Sequence, residues 1–275
     1  MCRCGSKFIF KYKFAFNVAM PKDIDRKVLF IGEAIMIHRF FDKGVLDFLI
    51  TSHFEDESKF LRTALEKNGI QVVHIPTMNA AREFPETIDE LTQYECIIFS
   101  DVGSNTILLH PEVLIKSKPR PNRLKLIKEY VLECGGGFLM IGGYFSFQGL
   151  NGIARYKNTP VEEILPVEIL PYDDRVEVPE GFNSKIIDRQ HPITKGFPES
   201  MPTLLGYNKT IPKRDAKILI EFNGDPILAI MEIGKGRTAA FTSDCAPHWA
   251  TSEFLEWQYY DRLWKNLIDW LSKKI

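Results

Sequence analysis

The sequence has no apolar run approaching the roughly 18 residues that a membrane-spanning helix needs, which argues against a membrane role. It also lacks an excess of either charge, with 35 Lys and Arg against 36 Asp and Glu. Without a net positive field, nothing general draws the chain to nucleic acid or anionic lipid, so a small molecule or another protein, including a second copy of this chain, is the expected partner. The 5 cysteines, Cys2, Cys4, Cys96, Cys134 and Cys245, are odd in number and dispersed. That is unlike the disulfide framework of a secreted module and points to a reducing cytoplasm. Cys2 and Cys4 are too close together for a CxxC site and no second pair with zinc spacing follows, so neither a metal nor a cofactor is expected. Internal repeats and low-complexity tracts are missing as well. A length of 275 residues nonetheless suffices for one α/β domain that buries its core without disulfides or metals.

Near the N-terminus, Lys11 and Lys13 interrupt an apolar stretch and no small-residue cleavage site follows, which argues against export. Phe8, Phe10, Tyr12, Phe14 and Phe16 alternate with other residues at the period of a half-buried strand. Residues 1–26 therefore read as an extension, either an edge strand or a segment ahead of an alternative start at Met20. From Lys27 onward, short apolar runs alternate with helical periods, the pattern of βαβ units and a mostly parallel sheet. Residues 28–31, 71–75, 96–100 and 138–141 read as strands, with helices at 57–68, 87–91 and 122–134. Residues 151–180, punctuated by Pro160, Pro166, Pro171 and Pro179, read as an irregular excursion. Strands at 216–222, 227–233 and 237–242 follow as antiparallel neighbours, and 253–272 as one amphipathic closing helix. The expected whole is a single domain over residues 27–275.

Ligands in open α/β sheets sit beyond the carboxyl ends of the strands. Four such places carry chemistry: Glu33 after the first strand, Asp101 after the third, Gly143, Tyr144 and Ser146 after the fourth, and Asp244, Cys245, His248 and Trp249 after the last. The final group admits a Cys245–His248 dyad or an Asp244–His248 pair for binding or proton transfer, because a histidine can titrate near neutral pH. Cys245 can equally be a packed core residue, and Ser146 a helix cap or ligand contact. Asp101 can brace its loop, and His191 before Pro192 can mark a turn. Trp249 can stack on a flat ligand or sugar face, or belong to the core.

The run "ECGGGFLMIGGYFSFQG" resembles the strand and tight turn that carry the nucleophile in the class I glutamine amidotransferase-like superfamily. "HPITKGF" and "GKGRTAAFTSDCAPHW" are similar to its ThuA-like and cytoplasmic amidotransferase-like branches. The resemblance implies a flavodoxin-like three-layer sandwich with additional antiparallel strands and a site at the strand ends. It also implies a nucleophile elbow in which the cysteine position falls on Tyr144. A phenol with a pKa near 10 is a poor replacement for a thiolate, so glutaminase chemistry is not expected. Glu33 resembles the acidic residue that PfpI-like peptidases place beside the elbow; its alternative is a carboxylate at a helix N-terminus. The ThuA-like branch implies carbohydrate metabolism, and hence a domain that binds a small polar metabolite or sugar. The alternatives are a hydrolase or isomerase using His248 with Asp244 or Cys245, and a non-catalytic scaffold.

Overall fold

The computed structural model describes residues 26–45 and 48–275. The edge strand expected within residues 1–26 lies outside the described residues. From β1 (Lys27–Gly32) the chain enters a hairpin of β2 (Ala34–Asp42) and β3 (Phe48–Asp56), then α1 (Lys59–Glu66) and β4 (Gln71–Ile75). Helices α2 (Thr77–Glu83) and α3 (Ile88–Leu91) lead to β5 (Cys96–Ser100). Helices α4 (Ser104–Leu108), α5 (Pro111–Lys116) and α6 (Arg123–Leu132) lead to β6 (Gly137–Ile141). The second half runs through α7 (Pro160–Ile164), β7 (Val167–Ile169), β8 (Arg175–Ile186), β9 (Ser200–Asn208) and β10 (Thr210–Pro212). It continues through β11 (Lys217–Phe222), β12 (Asp225–Ile233) and β13 (Gly236–Phe241), and closes with α8 (Ser252–Leu255) and α9 (Tyr260–Leu271).

Nine strands form one sheet in the order β4-β1-β5-β6-β13-β12-β11-β8-β9. The first five are mutually parallel and the remainder antiparallel. Counted along the chain, the parallel half has the 2-1-3-4-5 order of a flavodoxin-like sheet. Central runs such as residues 28–31, 97–99 and 138–141 are continuously apolar because both faces are covered. In β1, Val28 and Phe30 enter one core while Leu29 and Ile31 enter the other, and β5 and β6 divide in the same way. Helices α1 and α9 cover the first face, and α6 with α7 the second.

Three sequence expectations are corrected by this architecture. The segment 151–180 is not uniformly irregular, since Thr159 caps the short helix α7 and β8 begins at Arg175. The closing helix is broken into α8 and α9. The break lets Trp257 and Tyr259 both reach Phe197, at centroid distances of 5.5 and 5.1 Å, which residues two apart on one helix cannot do. Between β1 and α1 stands the β2–β3 hairpin, a stretch left unassigned between the expected strand at 28–31 and helix at 57–68.

The three strands expected as antiparallel neighbours, β11, β12 and β13, pair so with one another, and β13 has a further neighbour on its other side. It pairs antiparallel with β12, but parallel with β6, placing Phe241 beside Ile141. The residues after β13 therefore emerge on the same rim as those after β1, β5 and β6.

Candidate functional site

Glu33 occupies the abrupt turn from β1 into β2 with a left-handed backbone, φ 49°. Its carbonyl accepts the N–H groups of Glu57 and Ser58 at 2.9 and 3.0 Å, closing the foot of the hairpin. Its carboxyl turns inward, where Ser100 Oγ donates to Oε1 at 2.5 Å. A strand follows Glu33, so the helix N-terminus alternative is excluded.

Asp101, also left-handed at φ 49°, binds the loop after β6. Its Oδ1 accepts the Phe145 N–H at 2.7 Å, and its own N–H donates to Ser146 Oγ at 3.1 Å. Gly143 is needed between them: at φ 141° it lies so close that a Cβ would fall 2.5 Å from Asp101 Oδ1. Behind the loop, Asn208 of β9 accepts the Gly143 N–H at 3.0 Å and donates to Asp174 Oδ1 at 2.9 Å. Asp174 in turn accepts the N–H groups of Gln148 and Gly149, both at 2.8 Å. Tyr144 is thus held at a sharp turn, but no α-helix follows it. Left-handed residues at Phe147, Asn151, Arg155 and Asn158 keep the segment irregular. A helix-backed elbow is not what this loop builds.

After β13, Asp244 is 3% exposed and its Oδ1 accepts the Ala246 N–H at 3.0 Å. Its Oδ2 lies 3.6 Å from Nδ1 of His248, whose side chain is 35% exposed. His248 has φ 135°, a region L-residues seldom occupy. Its ring meets Tyr144 edge-on at 4.2 Å and stacks on Trp249 at 5.0 Å. The guanidinium of Arg175, fixed by Asp173, covers Tyr144 at 4.7 Å.

These elements enclose a cavity of about 450 Å³ lined by Glu33, Glu55, Glu57, Asp101 and Asp244, with Tyr144, Phe145, His248, Ile35 and Pro247. No Lys or Arg lines it. Burial, then the charges of Asp244 and Asp101, push the Glu33 carboxyl well above the usual range. Burial and Asp101 do the same to Asp244. Asp101 and Glu57 are raised chiefly by burial. Burial lowers the His248 pKa, favouring the neutral imidazole, and raises that of Tyr144, with help from Glu177. On the cavity floor, burial thus favours the protonated form of Glu33 and Asp244 and the neutral form of the His248 imidazole.

Of the residues singled out in sequence, Glu33, Asp101, Tyr144, Asp244 and His248 line this cavity and five others do not. Cys245 is 1% exposed, with Sγ 3.7 Å from Ser100 Oγ, and burial beside Glu33 and Asp244 raises its thiol pKa well above normal. Burial of this kind disfavours the thiolate, and Cys245 is not among the residues that line the cavity. Trp249, also 1% exposed, donates Nε1–H to Glu177 at 3.0 Å and supports His248 from behind rather than meeting a ligand. Ser146 caps no helix and is spent on Asp101, while the Gly143 N–H is spent on Asn208. His191 lies in another loop against Trp270, its Nδ1 accepting the Ile193 N–H.

Glu55 and Ile35 were missed because they belong to the unforeseen hairpin, Glu57 because it was read as the start of a helix, and Asn208 and Asp174 because only the fold brings them together. One carboxylate oxygen each of Glu33 and Asp244, with Cys245 Sγ, lie within 4.8 Å of one another, the only such metal-competent grouping among the described residues. A cation there would have to displace the protons that burial favours on all three groups.

Among the described residues, no helix is long and apolar enough to cross a membrane. Residues 27–273 match the family described as "Putative glutamine amidotransferase" (GATase1-like). A cytoplasmic protein of Salmonella typhimurium is 44% identical in sequence, with a TM-score of 0.85 over 89% of this chain and 98% of its own. A second, from strain LT2, is 42% identical at the same TM-score over 89% and 99%. A ThuA-like protein of Parabacteroides merdae shares the fold at 12% identity, with a TM-score of 0.56 over 90% of both chains. No curated protein matches the chain.

Proposed function

This chain belongs to the GATase1-like family, and from that membership we propose that it is an amidotransferase-like domain without glutaminase chemistry. Its cavity binds a small polar ligand that is neutral or cationic, polyhydroxylated carbohydrates being the class that suits it. The observation that carries this reading is the convergence of five carboxyl groups with no Lys or Arg among the described lining residues. The negative charge of Asp101, Glu55 and Glu57 repels phosphates and carboxylates, the α-carboxylate of glutamine among them. Protonated Glu33 and Asp244 can donate to hydroxyl oxygens, while Asp101, Glu55 and Glu57 accept from hydroxyl or ammonium hydrogens. A cytoplasmic location belongs to the same reading, supported by the description of the two Salmonella proteins as cytoplasmic.

Calorimetric titration with matched ligands tests it: a neutral sugar and its amino derivative against the corresponding sugar phosphate and sugar acid. The neutral or amino compound is expected to bind and the anions to fail. Preference for the phosphate or the acid would sink the proposal. A second reading, a hydrolase or isomerase, is favoured by the 3.6 Å approach of Asp244 to His248 inside the cavity. There the neutral imidazole takes a proton from the ligand and Asp244 holds the ring. Chemical conversion of a bound sugar, lost in His248→Ala, is its signature.

A further inference from the structure

The β2–β3 hairpin carries a surface that the ligand cavity does not use. Its register sets Met36 opposite Phe54, Phe40 opposite Ile50 and Asp42 opposite Phe48. Directly paired residues share a face, so Met36, Phe40, Phe48, Ile50 and Phe54 stand on the same side of the ribbon. They are 44, 75, 71, 49 and 48% exposed. Given that a phenylalanine presents 150–250 Å², together they offer on the order of 600 Å² of apolar surface. That is at the upper end of what a monomer shows in one patch, and most of the roughly 800 Å² that each partner contributes to a stable interface. A ribbon of two strands is also marginal in water unless something packs on it.

Beside the foot of the hairpin lies a hollow of about 410 Å³, whose apolar lining includes Met36, Met78, Phe145 and Ile153. The chain thus carries an apolar projection, Phe40 and Phe48 near the hairpin tip, and an apolar recess roughly 15 Å away along the ribbon. Projection and recess on one chain satisfy each other in pairs under a two-fold axis, which is the requirement for a closed dimer. The near-balance of charge, a formal net of −1, puts no electrostatic obstacle between copies.

We propose that two copies of this chain dimerise through their β2–β3 hairpins, each seating Phe40 and Phe48 in the recess formed by Met36, Met78 and Ile153 of the other. The recess shares Ile35, Asp101 and Phe145 with the acidic cavity. The partner's hairpin tip then walls the cavity mouth, and the complete site belongs to the dimer.

Light scattering on the eluting protein, together with cysteine cross-linking, tests this without reference to any ligand. Wild-type protein is expected at twice the 31.7 kDa chain mass. The Phe40→Lys/Phe48→Lys variant is expected at the single mass with unchanged circular dichroism, because both residues are exposed in the single chain, and with a lower melting temperature because the stabilisation from association is lost. With Cys2, Cys4 and Cys134 changed to Ser, Phe48→Cys and Ile153→Cys chains are expected to form a disulfide-linked dimer on oxidation when mixed, and far less when separate. A monomeric wild type, a lysine variant that stays dimeric, or cross-linking of Phe48→Cys chains chiefly to themselves would each overturn the proposal. So would a wild-type monomer whose hairpin face becomes accessible only after deletion of residues 1–25, which would assign the face to the chain's own N-terminus.

Discussion

Tyr144 and His248, separated by more than a hundred positions in the chain, meet edge to face with ring centroids 4.2 Å apart and planes at 81°. The contact joins the turn after β6 to the turn after β13 and fixes one wall of the cavity. Under the proposed function the phenol stands where a glutaminase of this superfamily would carry its thiolate. The protein should therefore release no ammonia from glutamine above background in a coupled assay, and Tyr144→Phe should leave that null result unchanged. Ammonia release that survives Tyr144→Phe and disappears in Cys245→Ser would make the buried thiol the nucleophile.

His248 is strained as well as part of the cavity lining. Its φ of 135° is open to glycine and hardly to other residues. His248→Ala keeps the strained backbone, whereas His248→Gly relieves it, so the glycine variant should be the more stable of the two by about 1 kcal/mol. Both should lose ligand binding. Thermal melts of the pair decide the matter, and an alanine variant equal to or more stable than glycine would show that the backbone is not strained there.

The raised pKa of Glu33 makes stability depend on pH in a definite direction. Its ordinary value is 4.5, and the folded value is well above that because burial and the neighbouring carboxyls disfavour its charge. The native state therefore holds a proton that the unfolded chain has released. The contribution is complete below pH 4.5 and is lost as pH rises through the folded value. Each such proton contributes a slope of about 1.4 kcal/mol per pH unit within that window. Urea unfolding between mildly acidic and alkaline pH should give a flatter profile for Glu33→Gln than for wild type, with the variant the more stable at the alkaline end. Parallel profiles would mean that Glu33 is ionised in the folded protein.

Asn208 binds the two halves of the sheet at the site, with its side chain joined to both backbone groups of Gly143 and to Asp174. Asn208→Ala removes all three bonds and leaves Asp174, 2% exposed, short of a donor. A loss of about 2–4 kcal/mol is expected in denaturant titrations, with weaker ligand binding because the Tyr144 loop is released. A cost near zero would show that Gln148 and Gly149 alone hold the loop.

The parallel half of the fold was legible because strands such as Cys96–Ser100 are buried on both faces and read as continuous apolar runs. The hairpin was not, because the apolar residues of Ala34–Asp42 and Phe48–Asp56 fall on both sides of an exposed ribbon, without the alternation a half-buried strand shows. β8 was hidden for another reason: Pro179, Gly181 and two register shifts against β9 interrupt its period. At the site, residues adjacent to parallel strand ends could be named from topology alone. Whether a side chain there faces the cavity or the core depends on local turns, and for Cys245 and Trp249 the turn after β13 directs them inward.

The position of β13 also governs when the site can exist during synthesis. It lies between β6 and β12, both earlier in the chain, and it carries Asp244 and His248 just beyond its end. A nascent chain halted before Gly236 has two unjoined half-sheets with bare edges and no acidic cavity. Ligand binding can therefore report only on finished molecules, and by mass action it draws late folding intermediates toward completion while leaving truncated chains to proteolysis.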